Sequence, residues 1–137
     1  MKREDINVLC QEVDIKKLEN IYKIINKNHK IRVLTKASEQ TLLVPVKDPI
    51  SNGSFYAGEV LVTSTILEVN KTKGWSMVMD SNYDLSLYTA VLDACFEADI
   101  YKNEIIELLE KAKEDQNKKI KMRNKKVNST KVSFDLM

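Results

Sequence analysis

The sequence predicts an α+β fold, with a largely antiparallel sheet of about four to five strands on which N-terminal helices and two C-terminal helices pack. Three observations predict this class. Apolar residues recur at helical spacing before residue 27 and again after residue 82, and strand-like alternation fills the stretch between. Short turns join the strands, which favours antiparallel pairing because a parallel pair needs a crossover of about a dozen residues or more.

Residues 3–27 are predicted to be helical. Asp14 stands in the middle of this stretch, where its carboxylate can accept hydrogen bonds from the free backbone amides of a first helical turn. We therefore expect two short helices rather than one. Each has one apolar face, formed by Ile6, Leu9, Cys10 and Val13 in the first and by Leu18, Ile21, Tyr22 and Ile25 in the second.

Residues 29–80 are predicted to form the sheet. The stretches "HKIRVLTKA" and "QTLLVPVKDP" indicate two strands, residues 55–69 a long third strand, and Trp75 to Met79 a fourth. Pro45 gives no ladder donor, so we expect its strand at an edge or a bulge. "ISNG" predicts a turn around Asn52–Gly53, and "NKTKG" predicts the next turn.

Residues 82–127 return to helical spacing, with Ser81 or Asn82 as the expected N-cap. Val132, Phe134 and Leu136 then alternate with polar residues, which predicts a final strand at 130–136. We expect this strand to join a sheet of this chain or of a neighbouring subunit. Because no repeat or linker separates these stretches, residues 1–137 are predicted to form a single domain.

Composition indicates an ordinary globular protein. The 137 residues are 43% hydrophobic with a net charge of +2, which does not by itself imply a nucleic-acid partner. No apolar run approaches the roughly 20 residues of a membrane span, and "MKREDINVLCQEVD" has no secretory h-region. We therefore expect a cytoplasmic protein with no membrane association. The basic run within residues 113–126 favours a solvated helix face, while attraction of a polyanion stays open.

The sequence offers no catalytic or metal-binding constellation. His29 has no cluster of ligands or visible nucleophile beside it, and Cys10 and Cys95 fit buried, unreactive thiols. Three glycines exclude a Walker A loop or a dinucleotide fingerprint. "DSNYDL" imitates half a calcium loop but lacks the required glycine and glutamate, so it fits a helix cap better. Such a chain is more plausibly a binding module or a subunit that completes another protein's site.

Several segments in one order resemble the PhnG family, the G subunit of the bacterial carbon–phosphorus lyase core complex. They are "FYAGEVLVT" from residue 55, "GWSMV" from residue 74, "AVLDA" from residue 90 and "VNSTKVSFDLM" from residue 127. The start "REDINVLCQ" and the strand "LLVPVKD" also fit. The resemblance therefore runs over nearly the whole chain.

The resemblance implies a function within a complex. PhnG-like proteins work with the H, I and L subunits to displace adenine from ATP and join the ribose triphosphate to an alkylphosphonate. The J subunit, a radical-SAM iron–sulfur protein, later takes part in breaking the carbon–phosphorus bond. The family implies no cofactor and no catalytic residue in the G subunit itself. ATP and alkylphosphonate are then substrates of the whole transferase.

The resemblance also marks positions without giving them a role. They are Gly58, Glu59, Thr63, Asp93, Ala94, Asn128, Val132 and Phe134. One departure is clear, since Asp80-Ser81-Asn82 stands where the family commonly has a Gly-Arg-Asp turn. A positive side chain that could meet phosphate is therefore missing from this loop.

Gly58 and Glu59 could have either a catalytic or a structural role. We expect Gly58 to relieve crowding or to allow a bulge in its long strand. Glu59 is expected to face solvent, a basic partner or a subunit interface, because a general base would need burial to raise its pKa. The alternative to a transferase subunit is a freestanding, non-enzymatic binding domain that uses its basic C-terminal helix on nucleic acid or another polyanion.

Overall fold

The computed structural model describes residues 2–130 and confirms the α+β class. Four helices and one antiparallel sheet follow one another in the order α1, α2, β1, β2, β3, α3, α4. Their bounds are Arg3–Cys10 for α1, Ile15–Asn28 for α2, Ile31–Lys47 for β1, Ser54–Val69 for β2, Thr72–Met79 for β3, Tyr83–Glu97 for α3 and Lys102–Thr130 for α4.

The two predicted N-terminal helices are confirmed as α1 and α2. Asp14 is the N-cap of α2, where its side chain accepts a hydrogen bond of 3.1 Å from the backbone amide of Lys16. This bond satisfies one of the amide groups that a helix start leaves without a partner. Leu18 and Ile25 of α2 are fully buried, so the apolar stripe read from the sequence is the face that packs.

The sheet has the strand order β1-β2-β3 with antiparallel pairs. The two predicted strands "HKIRVLTKA" and "QTLLVPVKDP" are the two halves of one continuous β1, separated by register shifts between Val33 and Ser38. Extra residues of this kind bend a strand without ending it. Pro45 lies both on an edge strand and beside a further register shift, as its missing donor requires.

Both predicted turns contain residues with a positive φ. Asn52 has φ 59° between β1 and β2, and the backbone amide of Asn52 donates to Asp48 O at 3.0 Å. Asn70 and Lys71 have φ 49° and 71° between β2 and β3, where Val69 pairs with Thr72. A two-residue connection with two positive φ angles matches the twist of a hairpin.

The strands differ in length, and this leaves a two-stranded projection. β3 pairs with β2 only from Val62 to Val69. Residues 41–47 of β1 and 54–61 of β2 therefore pair with each other alone, and we call this hairpin the arm. Its length is roughly 23–25 Å, at about 3.3 Å for each strand residue.

The core lies between the inner face of the sheet and the helices. α3 is buried on several sides, because the sheet covers one of its faces and α1, α2 and α4 contact others. Asn82 is its N-cap and accepts a 3.1 Å hydrogen bond from the amide of Leu85, which confirms one of the two predicted caps. The fully buried side chains include Ile6, Leu18, Leu67, Val78, Leu92, Ile105 and Leu109.

The two predicted C-terminal helices are confirmed as α3 and α4, and α4 extends to Thr130. Residues 113–126 of α4 contain no buried residue, so the part of α4 that packs on the domain within this described range ends at Ala112. The predicted strand at 130–136 overlaps α4 at Thr130 and otherwise lies outside the described residues.

Candidate functional site

The structure divides the marked positions between two regions. Thr63, Asp93 and Ala94 lie around the contact of the sheet with α3, whereas Gly58 and Glu59 lie on the arm. Asn128 falls in α4, and Val132 and Phe134 are outside the described residues.

Asp93 is a buried carboxylate that binds three donors. Its side chain is 4% exposed, and it accepts hydrogen bonds of 3.1 Å from both Nε and Nη2 of Arg3. The backbone amide of Trp75 donates to the same carboxylate at 2.9 Å. The paired charge and the three donors offset the cost of placing a carboxylate in the protein interior.

This arrangement makes Asp93 a structural anchor. The hydrogen bond from Arg3 to Asp93 raises the pKa of the guanidinium above its ordinary value, so Arg3 stays charged. Arg3 also donates to Lys73 O at 2.7 Å. One ion pair thus joins α1, β3 and α3, and a shallow cleft of about 400 Å³ beside it is lined by Arg3, Glu4, Asn7, Trp75 and Asp93.

Side chains of α1 cover the free edge of β3. Arg3, Asn7 and Gln11 are four residues apart and therefore lie on one helix face. Asn7 donates to Trp75 O at 3.3 Å and accepts from the amide of Met77 at 2.9 Å. Gln11 accepts from the amide of Met79 at 3.0 Å. The outward backbone groups of β3 are thereby occupied, which prevents another strand from pairing there.

Thr63 holds the turn from β3 into α3. Its buried hydroxyl donates to Asp80 O at 2.6 Å and accepts from the amide of Asn82 at 3.1 Å. Asp80 has φ 64°, in the region that favours glycine. The glycine that the family commonly has at this position would adopt this backbone conformation with less strain than Asp80. Asn82 stands where the family pattern has an aspartate, and both residue types can cap a helix.

Ser81, the middle residue of this turn, contacts Glu39 of β1. The Ser81 hydroxyl and the Tyr83 hydroxyl both donate to Glu39 Oε1, the second over 3.0 Å. The bond from Ser81, together with that from Tyr83, holds the pKa of Glu39 below its usual range, and the Glu39 carboxylate raises the pKa of Tyr83. The turn of this chain therefore presents a carboxylate and two hydroxyls where the family pattern has a positive side chain.

One face of the arm is entirely apolar. Residues that pair directly across two strands point to the same face, and the register places Leu42 with Val60, Val44 with Gly58 and Val46 with Phe55. We call these residues the apolar stripe. Leu42, Val44, Val46 and Phe55 are 38%, 38%, 40% and 52% exposed. The opposite face is mixed, with Thr41, Leu43, Glu59 and Leu61.

Gly58 interrupts this stripe without serving the domain itself. A Cβ at Gly58 would meet no described atom within 4 Å, so the glycine relieves no crowding. The register shift between Val44 and Pro45 leaves residue 57 of β2 as an extra residue beside it, which agrees with the predicted bulge. Glu59 is exposed on the mixed face, as expected for solvent or an interface.

The apolar stripe lies on the same side as the outer face of the sheet. α3 covers the inner face, where Leu67, Val69 and Val78 are fully buried. Ile66 and Trp75 pair across β2 and β3 on the outer face and are 37% and 46% exposed. The paired residues Ser38 and Ser64 separate them from the stripe. The exposed apolar surface that is typical of an interaction site is therefore the stripe itself.

Within residues 2–130, the structure brings together no group of His, Cys, Asp or Glu that could hold a metal ion. Its one histidine contacts Asn70 through Nδ1 at 2.8 Å and the ring of Tyr101 edge-on. None of the described helices is long and apolar enough to cross a membrane.

Comparison with protein families gives one decisive match. The model of the family described as "Phosphonate metabolism protein PhnG" matches residues 1–137. The chain belongs to the PhnG family. Comparison with curated proteins gave no match. Membership makes this chain a protein of phosphonate metabolism, and it confirms the resemblance read from the ordered sequence segments.

The two thiols of this PhnG chain are buried. Both Cys10 and Cys95 are fully buried and free. Burial raises the pKa of Cys10 and of Cys95 to about 12 in each case. A thiol that stays protonated is a weak nucleophile and a weak metal ligand. The prediction that both thiols are buried is confirmed.

The second half of α4 in the PhnG chain carries positive charge alone, whereas its first half carries both signs. The acidic residues of α4 all lie at or before Asp115, and the charged residues that follow are all basic. Negative charge near the start of a helix and positive charge near its end both favour the helix dipole. Lys118, Lys119, Lys121, Arg123, Lys125 and Lys126 are exposed or nearly so on this second half.

Some of the residues that organise the site were missed by the sequence analysis. Arg3 and Trp75 complete the Asp93 anchor, and nothing in the local sequence pairs residues so far apart. Gly74 was noted only as the start of a strand, yet a Cβ there would lie 2.2 Å from Ala90 O and 2.6 Å from Ala94 Cβ. A glycine opposite the small residues of "AVLDA" was the available signal for this close contact.

Proposed function

We propose that this chain is a subunit of the carbon–phosphorus lyase system. Together with the H, I and L subunits it supports transfer of the ribose triphosphate of ATP to an alkylphosphonate with release of adenine. The J subunit belongs to the same assembly. The observation that carries the proposal is the family match over the whole chain, and the resemblance supplies the reaction.

The chain is proposed to contribute binding surface and no catalytic residue. Its buried carboxylate, Asp93, is neutralised by Arg3, and its two thiols are protonated and enclosed. Glu59 is exposed, with no surroundings that would make it a base. ATP and phosphonate are substrates of the assembled complex, the chain itself holds no cofactor, and the complex works in the cytoplasm.

The apolar stripe of the arm is the proposed contact with the I subunit. A two-stranded hairpin alone is marginally stable in water. Within the described residues no third strand pairs with the arm, and the side chains of its apolar face are exposed. Gly58 supports the same assignment, because the open space at its Cα lets a partner approach the backbone. A partner with a complementary apolar surface would stabilise the arm and bury the stripe.

Two neighbouring residues allow a matched test. Val44→Lys places a charge in the apolar stripe, whereas Leu43→Lys places the same charge on the mixed face. We would co-express each variant with the I subunit and measure the recovered complex. We expect Val44→Lys to reduce recovery at least about tenfold, since an unpaired charge would be buried at the interface, and Leu43→Lys to retain most of it.

The two residues are 38% and 51% exposed, so neither substitution removes a core side chain. Melting of the isolated variants checks that both retain the fold. Equal recovery of the complex with both variants would show that the stripe is not the contact. Loss of both complexes, with both variants still folded, would indicate that both faces of the arm contact the partner. That result would also count against the stripe as the specific contact.

The alternative function is a freestanding domain that binds nucleic acid or another polyanion through the basic half of α4. The observation that favours it is the exposed run of Lys and Arg after Asp115. Binding of this kind would weaken steeply as salt is raised. Titration of the chain with a labelled single-stranded oligonucleotide at two salt concentrations separates the alternatives, because a lyase subunit needs no such binding.

A further inference from the structure

A group of cations lies at the end of the sheet opposite the arm. Lys30 precedes β1, Arg32 lies near its start, and Lys71 lies in the turn between β2 and β3. These three exposed residues line one cleft of about 400 Å³ together with Glu68 and Asn70, and we call it the cationic cleft. Its volume falls within the range of small-molecule sites, which is roughly 300–1,000 Å³.

The fold fixes the backbone around the cationic cleft. The backbone amide of Asn70 donates to Lys30 O at 3.2 Å, and Asn70 Nδ2 contacts His29 Nδ1 at 2.8 Å. The ring of Tyr101 meets the His29 ring edge-on, with the two centroids 5.8 Å apart. The turn that carries Lys71 is therefore held against the start of β1, so contacts of the domain itself bring the cations together.

The positive charge of the cationic cleft is not neutralised by ion pairs of the described chain. None of the ion pairs formed among residues 2–130 involves Lys30, Arg32 or Lys71. Glu68 is the one carboxylate that lines the cleft, and the register places it between Arg32 of β1 and Lys73 of β3. Three positive charges and one negative charge leave an excess of two positive charges among the lining residues. A cleft lined mainly by one sign of charge attracts ligands of the opposite sign.

We propose that the cationic cleft binds the triphosphate chain of a substrate. Arg32 offers a planar fork for two phosphate oxygens, and Lys30 and Lys71 offer point charges for others. A concave site of small-molecule size with an excess of positive charge fits a compact polyanion better than the flat surface of an acidic protein. This inference rests on the proposed function, because both the ATP consumed and the product formed in that reaction carry a triphosphate.

The full chain alone should bind a triphosphate weakly. The cleft is open to solvent, and the chain has no glycine-rich loop that would enclose phosphate. Nuclear magnetic resonance at low ionic strength detects weak binding, and the low salt limits screening of exposed charges. Titration of the ¹⁵N-labelled chain with inorganic tripolyphosphate should shift the amide signals of residues 68–72 saturably, with a dissociation constant well above the micromolar range.

Two substitutions in the cationic cleft should act in opposite directions. Arg32→Gln removes the fork and should weaken tripolyphosphate binding at least about fivefold. Glu68→Gln removes the carboxylate that repels phosphate and should strengthen binding about twofold or more. Arg123→Gln is the matched control for the first, because it removes the same charge from an exposed position on α4, outside the cleft. We expect the control to change binding less than about twofold, and thermal melting checks that each variant is folded.

Comparison of three probes identifies the part of the ligand that is bound. ATP and tripolyphosphate should shift the same amide signals, and adenosine at the same concentration should shift none of them. Equal affinity for the first two would assign the site to the phosphate chain that substrate and product share, whereas tighter binding of ATP would assign it to the nucleotide. Binding of adenosine would overturn the inference.

Other results would also overturn it. Shifts confined to the basic half of α4, or equal weakening by Arg32→Gln and Arg123→Gln, would show general attraction of an anion to a positive surface. Weaker binding by Glu68→Gln would show that charge in the cleft does not govern affinity. The Arg32→Gln chain should still be recovered with the I subunit, because the cleft and the arm lie at opposite ends of the sheet. Absence of tripolyphosphate binding with normal recovery would therefore reject the cleft and leave the proposed function standing.

Discussion

Arg3 of α1 binds Asp93 of α3 through two hydrogen bonds of 3.1 Å, one from Nε and one from Nη2. The same carboxylate accepts the amide of Trp75 on β3 at 2.9 Å. Three elements that are distant in sequence therefore meet at one buried group. The relation explains why an aspartate is tolerated in the apolar segment "AVLDA".

Asp93→Asn should destabilise the chain by about 2–3 kcal/mol, because hydrogen bonds to charged groups are each worth roughly 1.5–3 kcal/mol and the amide turns an NH₂ group toward donors. Urea unfolding of the purified variant measures this loss. Glu4→Gln is the matched control, since it removes the same charge from an exposed position on α1. Equal losses for the two variants would rule out Asp93 as an anchor.

Substitution by alanine should affect stability strongly at one glycine and little at another. Gly74→Ala should cost about 3 kcal/mol or more, the upper range for overpacking, because its Cβ would lie 2.2 Å from the backbone oxygen of Ala90. Gly58→Ala should change stability by about 0.5 kcal/mol or less, as at other exposed sites, while reducing capture by the I subunit. Thermal melting and co-purification check the pair, and a stability loss at Gly58 comparable to that at Gly74 would contradict the interpretation.

Asp80→Gly should stabilise the isolated chain by about 0.5 kcal/mol. Asp80 has φ 64°, and relief of a left-handed conformation outweighs the greater backbone entropy of glycine in the unfolded chain. Chemical unfolding measures the gain. Asp84→Gly serves as the comparison, because Asp84 lies in the first turn of α3 and the same substitution should destabilise there. A loss at both positions would show that the turn is not strained.

The thiols predict a loss of stability at alkaline pH. Burial raises the pKa of Cys10 from 9.0 to about 12, and that of Cys95 likewise. The folded state therefore holds these protons more tightly, so their contribution is fully present below pH 9 and is lost as the pH rises toward 12. Urea midpoints at pH 8 and 10.5 should fall further for the natural chain than for a Cys10→Ala, Cys95→Ala variant. Equal falls of the urea midpoint in the natural chain and the variant would show that the thiols do not contribute to the pH dependence of stability.

The purified chain alone should neither release adenine from ATP nor bind ATP tightly. With three glycines the chain has no phosphate-cradling loop. Isothermal calorimetry of the chain with ATP checks binding, and chromatography of the mixture checks adenine release. Micromolar binding by the isolated chain would count against the subunit proposal.

The sequence predicted local structure better than it predicted contacts between distant elements. Asp14, Asn82 and Pro45 act through neighbouring backbone groups, so their type and spacing indicated caps and an edge position that the structure confirms. The continuity of β1 was missed, because bulges bend a strand at polar residues that also suggest a turn. Local pattern does not separate these two cases.

The anchor at Asp93 lay beyond local reasoning for a different reason. Its partners come from α1 and β3, 90 and 18 residues away in sequence. No spacing rule relates residues across such distances, and their meeting depends on how α1 lies along the edge of the sheet. For Gly58 the sequence suggested either crowding or a bulge, and the open space around the residue excluded crowding within the described chain.

The occupied edge of β3 also sets a limit on assembly. A sheet that can receive a strand on both sides can add copies indefinitely, which is how fibrils grow. In the described chain α1 fills the β3 side through Asn7 and Gln11, so the three-stranded part of the sheet can accept a partner strand only at β1. The arm differs, because residues 54–61 of β2 have no partner strand on their outer side within the described residues. Association through the three-stranded part alone should therefore end in closed particles of fixed size, whereas growth in two directions would have to use the arm.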